Sequence, residues 1–174
     1  MMKIISNFVD GKLTKENPSN FIPLFKPTTG EEYAHVPITT KEEFNIIIDK
    51  MKIAQSSWAD TAVTKRSNIL FKFKSLIEKD FDGIAKIISE EHGKVFSDAK
   101  GSLQRGLEVV DFACGIPHLL KGNHSINVGS NVDSFDIRQP LGICAGITPF
   151  NFPAMVPMWM FPLSIACGNA FMLK

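Results

Sequence analysis

The chain has 174 residues, a net charge of +1 from 19 basic and 18 acidic side chains, 44% hydrophobic content and 21% charged content. That length suits one domain or a large piece of a bigger one, and the composition is ordinary for a globular protein. The even charge balance excludes the basic footprint of a nucleic-acid binder. Cys114, Cys144 and Cys167 are odd in number and form no CxxC pair, which argues against a disulfide framework and for a reducing compartment.

The first residues, MMKIISNFVDGKL, lack a basic segment followed by an apolar run, and lack the Arg- and Ser-rich character of a transit peptide. A cytoplasmic protein is expected. NFVDGKL, Asn7 to Leu13, predicts two short strands about an Asp-Gly turn. From Asn17 to Ile38 the chain carries Pro18, Pro23, Pro27, Gly30 and Pro37, which predicts extended segments and turns along a surface.

Helical periodicity begins at Thr40. TKEE, Thr40 to Glu43, reads as a capping box. Phe44, Ile47, Ile48, Met51, Ala54 and Trp58 then share one face. A second helix is predicted from about Thr64, with Ile69, Leu70, Phe73, Leu76 and Ile77 inward. A third carries Ile84, Ile87 and Ile88 and ends at EHGK, where Gly93 suits a left-handed C-terminal cap. A fourth runs from about Ser97 to Cys114, with Leu103, Leu107, Val110 and Phe112 as its apolar members. Gly101 and Gly106 weaken it by roughly 1 kcal/mol each relative to alanine, so they suggest close packing. Ser125 to Gly142 switches to period two and predicts a two-stranded ribbon leaving the helical body. The four histidines have no metal-ligand spacing, and no metal is implied.

No charge occurs from Pro140 to Leu173. A membrane-spanning helix needs about 20 unbroken apolar residues. Here Pro149, Pro153, Pro157 and Pro162 recur, and an interior proline costs ~3 kcal/mol in a helix. The stretch divides better into a strand (Gly142 to Thr148), a turn (PFNFP), a helix from Pro153 to Cys167 with a break before Pro162, and a strand in AFMLK. Such a strand, crossover helix and strand make a parallel unit of an α/β core sheet. TPFNFP and Lys174 then adjoin at the carboxyl rim, where such sheets bind ligands. Asn151 points an amide into that crevice, or Asn151 and Asn169 simply cap turns. No G-x-G-x-x-G is present, so a dinucleotide would not use the standard phosphate turn.

GITPFNFP with GNAFMLK resembles the aldehyde dehydrogenase superfamily, and NPSN…KPTTGE, EEHGK, the ribbon and the final strand–turn–helix agree with it across essentially the whole chain. Phe150 and the Pro- and Met-rich PAMVPMWMFPLSIACGN resemble its CoA-acylating branch, which acts on methylmalonate and malonate semialdehyde. The resemblance implies an α/β fold, the N-terminal part of a cofactor-binding domain: a helical layer, a β-ribbon and the first βαβ unit of a parallel sheet. Residues 1–124 and 140–174 would form an incomplete NAD-binding domain, residues 125–139 part of an oligomerisation ribbon serving a dimer or tetramer, and the catalytic domain would be absent. It implies NAD as cofactor and CoA as co-substrate. Asn151 would be the oxyanion-hole amide. Ile147, Thr148, Pro149 and Phe150 would line the cofactor cleft, and Lys174 would meet the adenosine ribose. Phe152 and Trp159 would face the aldehyde, and Arg105 would bind its carboxylate unless it pairs with Asp111 or Glu108. None of the cysteines occupies a nucleophile motif of the family. The alternatives are a non-acylating aldehyde dehydrogenase of other substrate, or a non-catalytic truncated partner that pairs through the ribbon.

Overall fold

A computed structural model describes residues 3–14 and 20–174; Pro18 lies outside them. The chain opens with β1 (Lys3–Ile4), β2 (Phe8–Val9) and β3 (Lys12–Leu13). β2 and β3 pair antiparallel across Asp10 and Gly11, both at positive φ (54° and 73°). This is the backbone twist that an Asp-Gly turn supplies to a tight hairpin. β4 (Phe21–Phe25) and β5 (Glu32–Pro37) follow. They are more than surface segments: β4 pairs antiparallel with β5, and β1 joins the other edge of β5 in parallel.

The helical layer comprises α1 (Lys41–Ala59), α2 (Val63–Lys79), α3 (Phe81–His92), α4 (Phe96–Cys114) and a short α5 (Ile116–Leu119). The expected capping box is present: the Thr40 hydroxyl accepts from Glu43 N, and the Glu43 carboxylate accepts from Thr40 N. Gly93 closes α3 at φ 83°.

Leu70, Ile77, Ile88, Leu103, Leu107 and Val110 are buried as expected, but Ile69, Leu76, Ile87 and Phe112 are exposed, and α1 buries none of its residues. α2 instead buries Arg66 and Ser67. The core lies between helices. One cluster joins Ile77, Ala85, Ile88, Leu103, Leu107 and Val110 to Met158. A second joins Leu70, Ala113, Cys114 and Ile116 to Ala166.

The ribbon is β6 (His124–Gly129) and β7 (Val132–Phe135), antiparallel and exposed at every residue. The charge-free tail forms β8 (Ile143–Gly146), α6 (Met155–Ala166) and β9 (Ala170–Leu173), with β8 parallel to β9. α6 does not break before Pro162; it runs through that residue, which is fully buried. Met158 and Ala166, on either side of it, are both buried. Packing on both flanks outweighs the local cost of the proline. Among the described residues, no helix is long and apolar enough to cross a membrane.

Candidate active site

The rim of the β8–β9 sheet is built by the strand ladder itself. Lys174 N donates to the Gly146 carbonyl at 2.9 Å, and Thr148 N donates to the Lys174 carbonyl at 2.8 Å. The Thr148 hydroxyl reaches that same carbonyl at 3.3 Å. Thr148 and Lys174 therefore sit side by side where the strands end. Ile147 and Phe150 stand open, 82% and 89% exposed, and Pro149 and the Lys174 side chain are exposed as well.

The next residues leave the sheet and are carried toward α4. A Cβ on Gly106 of α4 would lie 3.2 Å from the Met155 Cα of α6. Such close helix approach requires glycine. Gly101 has open space and plays no such part. The approach sets the Asn151–Phe152 turn over the first half of α4. Between them lies a cavity of about 510 Å³, lined among others by His92, Lys94, Asp98, Ser102, Arg105, Asn151 and Phe152.

Three of the anticipated side chains thus meet at one hollow: Asn151, Phe152 and Arg105. Among the described residues, the Asn151 carboxamide has no hydrogen-bond partner and Arg105 is in no ion pair. The expected competitor Asp111 binds Lys74 instead, at 3.1 Å. Asn169 is a turn cap. Buried, it accepts from Gly142 N at 2.9 Å through Oδ1 and donates to the Ser164 carbonyl at 3.1 Å through Nδ2. Trp159 is about half exposed and is not among the cavity's lining residues.

Lys94, His92, Asp98 and Ser102 escape the sequence reading. The Lys94 ammonium donates to the Asn151 carbonyl at 3.1 Å and lies 4.4 Å from the Phe152 ring centroid. His92 Nδ1 is buried without a hydrogen-bond partner. The one signal was EHGK, and there only the glycine announced a structure. Lys94 and Arg105 face a single carboxylate, Asp98, so the cavity favours an anion. A second hollow of about 310 Å³ differs. There Lys74 is bridged to both Glu78 (3.3 Å) and Asp111, and those partners hold its ammonium above the usual lysine range.

No cysteine lines the cavity. Cys114 is buried, whereas Cys144 and Cys167 are half-buried. Burial pushes the Cys114 and Cys167 thiols up, away from a reactive thiolate.

The family model for the aldehyde dehydrogenase family matches residues 13–174. The chain belongs to the aldehyde dehydrogenase family. It is 46% identical over 173 residues to malonate-semialdehyde dehydrogenase of Pseudomonas aeruginosa, covering 99% of this chain and 35% of that one. It is 45% identical to the mitochondrial acylating methylmalonate-semialdehyde dehydrogenase of Arabidopsis thaliana, covering 98% and 28%. A Sinorhizobium meliloti protein complexed with NAD, provisionally a methylmalonate-semialdehyde dehydrogenase, superposes with a TM-score of 0.95 at 44% identity, covering 100% and 35%. This aldehyde dehydrogenase chain therefore spans about a third of the length of such relatives. The α/β architecture expected from the sequence is the one observed.

Proposed function

We propose that these residues are the N-terminal portion of an NAD-dependent, CoA-acylating methylmalonate/malonate-semialdehyde dehydrogenase. In this reading residues 1–124 and 140–174 belong to its NAD-binding domain and residues 125–139 to an oligomerisation ribbon. The observation that carries it is the convergence of Asn151, Phe152 and Arg105 on one cavity beside the β8–β9 rim. The names of the relatives support the substrate class.

The roles follow from the chemistry of each group. Arg105 offers a planar fork to the carboxylate of the semialdehyde. Asn151 Nδ2 donates to the aldehyde oxygen as a thiolate adds to its carbon. A donor aimed at developing negative charge is worth ~2.7–4 kcal/mol of barrier. The thiolate comes from outside residues 1–174, since no cysteine here lines the cavity. Loss of hydride from the carbon of that adduct leaves a thioester, which passes its acyl group to the CoA thiol and frees the cysteine thiolate. Phe152 walls the aldehyde path, and Trp159, about half exposed, would face the aldehyde as well.

The rim suits a dinucleotide. Its apolar residues Ile147, Pro149 and Phe150 are open, and the Lys174 ammonium has no ion pair among the described residues. Lys174 would hold the adenosine ribose hydroxyls, and Ile147, Thr148, Pro149 and Phe150 would line the cleft. NAD bound there supplies the acceptor for the hydride lost by the aldehyde carbon. The ribbon's bare strands, with Ile126, Val128, Val132 and Phe135 exposed, suit pairing with another copy. Cysteine usage favours the cytoplasm.

The test is Arg105→Leu in the complete enzyme that carries this segment. The preference for malonate semialdehyde over an uncharged aldehyde of equal length, read as kcat/KM, is expected to fall about a hundredfold. An unchanged preference overturns the assignment.

A further inference from the structure

We propose that Lys94 is a positioning residue whose ammonium fixes the Asn151–Phe152 turn and so aims the Asn151 carboxamide into the cavity. This rests on the reading of Asn151 as the oxyanion donor.

Lys94 is itself held firmly. Gly93, in the left-handed conformation, ends α3 and turns the chain sharply before it. The Ser89 hydroxyl then donates to the Lys94 carbonyl at 2.6 Å. From that anchored backbone the side chain reaches across 57 positions of sequence to the Asn151 carbonyl, at 3.1 Å. Its charge also sits over the Phe152 ring, 4.4 Å from the centroid, where the ring's negative face attracts a cation. Two successive residues of the turn are thus gripped by one group. Among the described residues, no other side chain hydrogen bonds to residues 149–153, and Lys94 makes no ion pair.

The consequence for the site is geometric. The Asn151 carbonyl and the Phe152 amide share one peptide plane. Pinning that plane on one side and the Phe152 ring on the other leaves the Asn151 Cα–Cβ bond little freedom. An oxyanion donor acts only when it is already in place as charge develops, and a displacement of about 1 Å costs about a hundredfold in rate. Lys94 also lines the cavity, so the competing role is direct contact with the substrate carboxylate beside Arg105.

The experiment separates these roles. In the complete enzyme, Lys94→Met is expected to lower kcat about ten- to a hundredfold, for carboxylated and uncharged aldehydes alike, with KM changed less than threefold. Lys94→Arg keeps a cation over the ring and is expected to restore most of the rate. In an Asn151→Ala background, Lys94→Met is expected to add less than a twofold further loss, because both changes remove the same donor. If Asn151→Ala lowers kcat and Lys94→Met does not, the proposal falls while the reading of Asn151 stands. If Asn151→Ala is silent, the reading falls. If Lys94→Met erodes the preference for the carboxylated aldehyde, Lys94 is a substrate contact and the proposal is overturned.

A second measurement uses the same complete enzyme. Nitrogen-15 relaxation at Asn151 and Phe152 is expected to show order parameters near 0.85 in the parent and below about 0.6 in Lys94→Met. Equal values in both overturn the proposal.

Discussion

The guanidinium of Arg66 and the carbonyl of Ala166, a hundred residues apart in sequence, meet at 3.0 Å in the interior. The same side chain donates through Nη1 to the Ala59 carbonyl at 3.2 Å and to the Thr61 carbonyl. One buried cation therefore serves the carboxyl ends of α1 and α6 together, where the helix dipoles favour positive charge. Arg66→Met keeps much of the volume and leaves these carbonyls without their donor. The expected loss is about 3–5 kcal/mol, read by urea unfolding. A loss below about 1 kcal/mol shows that the carbonyls find other partners.

Gly106 separates α4 from α6 by the smallest possible side chain. Gly106→Ala improves helix propensity by about 1 kcal/mol. The added methyl would nevertheless meet the Met155 Cα and the Met158 Cβ, each at 3.2 Å. Overpacking of that kind costs about 1–3 kcal/mol, so net destabilisation is expected, with the Asn151–Phe152 turn shifted away from Arg105. Gly101→Ala has open space and is expected to stabilise by up to about 1 kcal/mol. Thermal melts of the pair test the contrast, and equal effects of the two substitutions contradict it.

The Cys114 thiol is raised first by burial and then by the Asp111 carboxylate. Less thiolate exists at a given pH, so alkylation by iodoacetamide at about pH 8 is expected to be at least tenfold slower than for free cysteine. The raised value also sets the sign of a stability effect. The contribution is full below the ordinary thiol value near 8.5 and is lost as pH rises through the folded value. Mass spectrometry of timed alkylation reads the first effect and denaturant midpoints between about pH 7 and 10 read the second.

At the base of the ribbon, the Asn123 main-chain N–H donates to the Asp136 carboxylate at 2.7 Å and holds its pKa below the usual aspartate range. A depressed folded value gives stability present above the ordinary value near 3.9 and lost as pH falls through the folded value. The Asn123 amide is therefore expected to lose its protection only in acid, and Asp136→Ala, which removes the acceptor, to lose it at neutral pH. Hydrogen exchange at Asn123 checks both statements.

Local chemistry was readable in advance wherever the partners lie a few residues apart. Thr40 with Glu43, Asp10 with Gly11, and Gly93 are all of this kind. The parallel βαβ unit was readable because a charge-free run broken by proline has few other ways to fold. Helix faces were less so. Periodicity marks Ile69, Leu76, Ile87 and Phe112 as apolar but does not say whether a neighbour covers them, and none among the described residues does. The β1–β5–β4 sheet was hidden by its prolines. In the candidate site, Asn151 was legible from the GITPFNFP motif and Arg105 from the family resemblance. Lys94, like Arg66, was invisible because its role depends on contacts far away in sequence.

The two parallel strands β8 and β9 carry a final consequence. Each keeps one lateral edge with no strand beside it among the described residues, a row of amide and carbonyl groups ready to accept a neighbour. A strand docking beyond β9 lengthens the sheet in one direction only. A strand docking beyond β8 reverses the order of addition there and gives Thr148 a second wall. The open ledge at the strand ends therefore becomes a two-sided slot once a strand has docked beyond β8.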